Sequence, residues 1–452
     1  MKDIDWLSNL KLRASWGKLG NNAIGNYEWQ SLYGTGFIYA FNGSKTPGLA
    51  MTKFSNAFLE WEETAVTNIG VDFGFLKNRL NGSLEFYYKD TDGILYRPTL
   101  PESLNQFTSP LMNLAAVSNK GFELGLTWDD RAGDFTYHVG ANFSYNINRV
   151  TEYKGELIRE WRTDEQGNRY WYSNIGEVAN GWGERIVEGH EMNEYYYRNL
   201  YRGNAGNVYG ADGKVDINAG PKDGMIRTER DMEWLRAMVD AGYKFYPGQK
   251  ISKDAIWYGD PIFADYNGDG IYGDDEDRDF QGASKVPKFY FGLQGSVTWK
   301  DFDLSMSWAG AGGNKIWYNY NTINSVRVIH GYGIGKDLAY DHYFYDPENP
   351  DDPRTNITSE NPRLHANGAP QSNADSERIL KSGTYMKLKN LTFGYTIPSK
   401  WTRKAFIEKA RVYFSGENLF CISAFPGLDP ESMSDNGYSP IRSYTFGLNV
   451  TF

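Results

Sequence analysis

The feature that most constrains this chain is a two-residue alternation sustained far beyond the roughly 5 to 6 residues of an ordinary strand. Phe135, Tyr137, Val139, Ala141, Phe143, Tyr145 and Ile147 alternate with Thr136, His138, Gly140, Asn142, Ser144 and Asn146. One face of such a ribbon is apolar and the other is small or polar. The same writing recurs at 80–88, 122–128, 289–299, 302–308, 391–397, 412–414 and 444–452, and less regularly at 10–17 and 64–75, which predicts about ten strands. Short connections (76–79, 129–134, 300–301 and 398–410) alternate with long ones (17–63, 90–117, 149–286, 313–384 and 421–442). Antiparallel strands of a membrane barrel produce that alternation, because every second connection returns to the same side.

Strand length and aromatics toward the ends of the apolar face favour an all-β antiparallel transmembrane β-barrel. A secreted calcium-stabilised β-sandwich that binds carbohydrate is the alternative. Aromatic residues make up 16% of the chain, in keeping with a β-rich fold. A formal charge of -10 argues against nucleic acid as a partner. The single cysteine, Cys421, has no partner for a disulfide and no Cys or His at ligand spacing. No apolar run is long enough for a spanning helix.

Several segments carry a resemblance. They include Leu12-Arg13-Ala14-Ser15-Trp16-Gly17, Asn68-Ile69-Gly70-Val71-Asp72-Phe73-Gly74, Asn119-Lys120-Gly121-Phe122-Glu123-Leu124, Leu388-Lys389-Asn390-Leu391-Thr392-Phe393-Gly394-Tyr395 and Ser415-Gly416-Glu417-Asn418-Leu419-Phe420. In order and spacing, the chain resembles the carboxy-terminal half of the SusC/RagA-type TonB-dependent outer-membrane transporters. Barrels of that kind have about 22 strands around a plugged lumen. The resemblance therefore implies that 1–452 supplies roughly ten of those strands, with plug, TonB box and signal peptide lying outside it. It also implies the cell outer membrane, import of a glycan or peptide, TonB reached through the N-terminal region, and a SusD-like surface lipoprotein as lid.

The sharpest local motif is Asp265-x-Asn267-x-Asp269-Gly270, with the Ile271 carbonyl at position seven, Glu276 at twelve and Asp277 after it. Alternate oxygen donors, a turn glycine and a carboxylate at twelve match a calcium loop, so 265–277 is expected to brace the long 149–286 loop region with Ca2+; an acidic Asx-turn loop without metal is the other reading. Trp161, Trp171, Tyr172, Trp182, Tyr195, Tyr196 and Tyr197 in the same region suit contact with a ligand or partner, or local packing. No enzyme is expected: His138, His190, His330, His342 and His365 show no metal-ligand or nucleophile spacing. Tyr444, Phe446, Leu448, Val450 and Phe452 resemble the terminal signal read by the barrel insertion machinery.

Overall fold

The computed structural model describes residues 6–452, apart from 99, 101, 105–106, 182, 249, 319–335, 365–370, 372–373 and 433–437. Ten strands form one sheet and are numbered here in chain order. They are β1 (Leu7–Asn21), β2 (Glu62–Phe75), β3 (Leu80–Tyr96), β4 (Met112–Ala132) and β5 (Phe135–Glu152). The second half holds β6 (Phe289–Trp299), β7 (Phe302–Gly312), β8 (Tyr385–Ile397), β9 (Lys409–Ser423) and β10 (Ser443–Thr451). Each pairs antiparallel with the next, and among the described residues β1 and β10 have one neighbour apiece, so the barrel wall is open.

Register keeps the two faces apart. Leu12, Val71, Leu84, Leu124, Phe143 and Phe291 stand opposite one another across β1 to β6. In the adjoining row, on the opposite face, Arg13, Gly70, Glu85, Glu123 and Ser144 do the same. A one-residue slip would exchange the faces, so the alternation itself fixes the pairing. Among the described residues the apolar face carries no second layer: Leu12 is 80% exposed and Phe446 81%. A sandwich would bury those side chains against a facing sheet about 10 Å away. The other sheets have only two or three strands and lie within the connections, so the sandwich alternative is set aside.

Toward the short-turn end, rings line up across the apolar face, with Phe135 stacked on Trp299 at 5.6 Å and Phe302 at 4.7 Å from Tyr395. This is the girdle geometry of a membrane interface. The turns are tighter than the sequence suggested. β4 continues to Ala132, and the 129–134 connection shrinks to Gly133-Asp134, with Gly133 at φ 61°. Likewise β3 and β4 cross the expected 90–117 loop boundary at both ends. Polar residues such as Asp90, Thr91 and Asn113 broke the alternation, but a ladder needs only backbone partners once it leaves lipid. At about 3.3 Å per residue the 21 residues of β4 reach about 70 Å, well over a hydrocarbon core of about 30 Å.

The connections β5–β6 and β7–β8 fold together into a cap. Its helix α1 (Glu229–Asp240) opens on a capping box in which Asp231 N donates to Thr228 Oγ1 and Thr228 N donates to the Asp231 carboxylate. Met232, Leu235 and Met238 then face inward with Trp234 onto Tyr201, Ile226, Ile256, Tyr258 and Tyr343. The main hydrophobic cluster of the described residues therefore lies in the cap and not in the wall.

Candidate functional site

The acidic loop 265–277 is wound by its own side chains. The Asp265 carboxylate accepts the amides of Gly268 at 2.6 Å, Asp269 at 3.2 Å and Gly270 at 2.9 Å. Asn267 Oδ1 accepts from Asp269 N at 3.0 Å and Asp269 from Ile271 N at 2.7 Å. Gly268 and Gly270 sit at φ 76° and 85°, where a side chain would be strained. Asp277 is buried and accepts from Tyr266 N and Gly273 N. Burial pushes its carboxyl up to about 7, and pushes Asp265, Asp274 and Glu276 upward as well. Glu276 is held by Asn267 Nδ2 at 3.2 Å. Among the described residues no three Asp, Glu, His or Cys side chains converge as metal ligands.

A hairpin of Arg159–Thr163 and Arg169–Ser173 leans on this loop. Trp161 Nε1 donates to the Asn267 carbonyl at 2.7 Å, and Trp171 meets Trp161 and Tyr266 edge-on. Arg162 covers the Tyr172 ring at 3.5 Å. Trp161 and Trp171 thus brace the acidic loop. Tyr195, Tyr196 and Tyr197 are 2%, 3% and 5% exposed, and the reading of these three as ligand contacts is corrected. Their strand, Glu194–Arg198, is covered on both faces: Tyr195 and Tyr197 pack with Ile379 and Leu380, and Tyr196 with Phe280 and Arg159. Burial raises all three hydroxyls above the ordinary tyrosine value. Trp182, His330 and His365 lie outside the described residues.

The polar face of the wall is crossed by hydrogen bonds. Arg13 reaches Asp72 at 2.9 Å and Glu85 at 2.8 Å, joining three strands. The Tyr87 hydroxyl donates to Asn146 at 3.0 Å, and His138 Nδ1 lies 2.7 Å from Asp129. Lys387, 3% exposed on β8, is held by Asp429 at 2.6 Å and Glu431 at 2.7 Å, which ties the β9–β10 connection to the inner face. On the opposite face of β10, Tyr444, Phe446 and Leu448 are exposed opposite Gly416, Phe414 and Val412, with Val450 opposite Ala410 and Phe452 exposed at the end.

Sequence reasoning missed the cap's cavity, of about 860 Å3, formed where Lys253–Tyr258 meets the 339–364 segment. Its walls carry Trp257, Tyr340, Phe344 and Tyr345 together with His342 and Asn356. The two contributing stretches lie in different connections, so no local motif marks it. The signal available was aromatic density around Tyr340-Asp341-His342-Tyr343-Phe344-Tyr345.

The family model described as TonB dependent receptor-like, beta-barrel matches residues 4–186. TonB-dependent receptor P3 of Formosa agariphila is 26% identical over all of this chain and 40% of its own length. TonB-dependent receptor SusC of Bacteroides thetaiotaomicron is 24% identical over all of this chain and 38% of its length. The solved RagAB peptide transporter matches the fold with a TM-score of 0.67 at 21% identity, covering all of this chain and 41% of that one. The chain spans about two fifths of the length of these relatives.

Proposed function

We propose that this chain, which is similar over its whole length to TonB-dependent receptors and matches the RagAB transporter in fold, contributes its wall and cap to a SusC/RagA-type outer-membrane importer for glycans or peptides. The long connections face the cell exterior, a SusD-like lipoprotein covers them, and TonB supplies energy through regions outside this chain. The observation that carries the reading is the two-faced wall: an uncovered apolar surface backed by the hydrogen-bonded polar face of Arg13, Asp72, Glu85, Tyr87 and Asn146. Lipid meets the first and the substrate path the second. The terminal residues Tyr444, Phe446, Leu448, Val450 and Phe452 serve as the insertion signal. No chemical step is assigned to any residue.

The test uses cells carrying the full-length gene and a labelled glycan or peptide library. Uptake that stops when the proton gradient is collapsed supports the proposal; uptake indifferent to the gradient refutes it.

The second part of the proposal is one structural Ca2+ at 265–277, with oxygens of Asp265, Asn267, Asp269, Ile271 and Glu276 or Asp277 as donors. Alternate spacing and the two left-handed glycines support it, each carboxylate retains unused acceptor sites, and the ion would displace the Asn267–Glu276 bond. Terbium luminescence should appear on titration and vanish in Asp265→Asn; its absence from the wild type at millimolar metal would end the idea.

A further inference from the structure

We propose that the turn between β8 and β9 is a docking surface for the headgroups of anionic phospholipids in the periplasmic leaflet, an inference that rests on the lipid-facing wall and its orientation given above. This turn, residues 398–408, is the longest of the four short connections. One helical turn, Ser399–Thr402, runs into a second, Arg403–Ala405. It closes where Ile407 N donates to the Thr402 carbonyl at 3.2 Å and Phe406 N to the Arg403 carbonyl at 3.1 Å. Such a pair of bonds is a Schellman closure, whose left-handed position ordinarily belongs to glycine. Here that position is held by Phe406, at φ 60°. A bulky side chain is strained there, and with 92% of Phe406 exposed the protein returns little packing for it. Trp401 is 57% exposed on the same turn.

Depth identifies the medium that covers these rings. The turn leaves the ladder at the Ile397–Ala410 pair, two residues beyond Tyr395, whose ring meets Phe302 in the aromatic girdle. Three residues of a tilted strand, at about 3.3 Å each, carry the chain about 7 Å past the girdle. That is the depth of the headgroup layer, about 5–8 Å thick on each side of the hydrocarbon core. The far end of the turn stays at the rim of the wall, because Glu408 N donates to the Thr451 carbonyl at 2.8 Å, next to the exposed Phe452. Phe406 and Trp401 therefore extend the apolar rows of the wall, which lipid already covers.

Charge identifies the headgroup. The turn carries Lys400, Arg403 and Lys404, all exposed, against the single acid Glu408, in a chain whose formal charge is -10. Lys400 lies over the Trp401 ring at 5.9 Å, and on the neighbouring turn Lys300 lies over Trp299 at 5.2 Å. Rings that enter the interface, with bases beside them to reach phosphate, are the two components of attachment to an anionic lipid surface.

The experiment is site-specific photo-cross-linking of the full-length protein. Phe406→p-benzoylphenylalanine is compared with Phe446→p-benzoylphenylalanine, which lies in the apolar row of β10, in vesicles of equal phosphatidylglycerol and phosphatidylcholine and in cells. Adducts are identified by mass spectrometry. At position 406 we expect phosphatidylglycerol adducts to exceed phosphatidylcholine adducts about fivefold, and Arg403→Gln with Lys404→Gln to bring the ratio close to one without changing heat-modifiable migration. At position 446 both lipids should react alike. Lipid adducts at 446 and none at 406 overturn the proposal. So does a ratio at 406 that ignores the double variant, or an adduct at 406 in cells to a polypeptide in place of a phospholipid. Absence of lipid adducts at both positions would discard the lipid-facing wall and the proposal with it.

Discussion

Replacing Trp234 by Ala should unfold the cap and spare the wall. Trp234 is fully buried on α1, packs on Tyr201 at 4.9 Å and Phe245 at 5.9 Å, and donates its Nε1 proton to the Asp216 carbonyl at 2.9 Å. Truncating a buried tryptophan costs about 3–5 kcal/mol, and an orphaned buried carbonyl about 1–3 kcal/mol more. These terms overlap, so about 4–6 kcal/mol is a fair sum, comparable to the whole stability of a small domain, about 5–15 kcal/mol. All of the partners named are cap residues, whereas the wall is held by its own ladder and by lipid. Guanidinium titration of the full-length protein in detergent should therefore show an early cap transition, followed by near-UV circular dichroism, moving to low denaturant. Heat-modifiable gel migration, which reports the wall, should stay at its wild-type midpoint. Simultaneous loss of both signals would refute the separation of the two cores.

Other substitutions probe other layers. Thr228→Ala removes the capping oxygen of α1 and should lower cap stability by about 1 kcal/mol in the same titration, while Thr228→Ser restores it. Leu124→Arg, in the middle of the apolar row, should cost about 2–4 kcal/mol and reduce the assembled outer-membrane fraction; Ser83→Arg, on the polar face, should assemble normally. Lys387→Met strands the buried Asp429 carboxylate at a cost of about 3–5 kcal/mol, which should expose the 421–442 connection to protease, and adding Asp429→Asn should recover part of the loss.

The wall was legible because its two faces meet different solvents. The apolar alternations, from Phe135–Ile147 to Tyr444–Val450, lie in strands, and the order of short and long connections gave the antiparallel path. Strand ends were misjudged at Asp129–Asp134 and around Asp90 because pairing there continues on backbone bonds alone. The cap was read as loop because Gly, Asn and Tyr dominate its composition. The spacing of Met232, Leu235 and Met238 after Thr228-x-x-Asp231 was nevertheless a helix signal in plain view. For Tyr195 to Tyr197 the sequence left contact and packing both open. A short strand covered on both faces buries them all. The cavity could not be read, since its walls come from connections more than eighty positions apart.

The division of apolar surface follows from the solvent on each side. Within the bilayer, Leu12 and Phe446 gain nothing from being covered by protein, since lipid is already an apolar medium, so the wall needs no buried layer of its own. Outside the bilayer the same exposure would face water, and the connections β5–β6 and β7–β8 must supply a core that closes on itself around Trp234, Met232 and Tyr258. Two apolar systems result, and they meet where Ala115, Val117 and Val150 of the wall pack with Tyr153, Ile186 and Met192 of the cap. Changes around Trp234 and Met232 then loosen the cap while leaving the lipid-facing rows intact, and changes to those rows, such as at Leu12 or Phe446, alter insertion while leaving the cap's core intact.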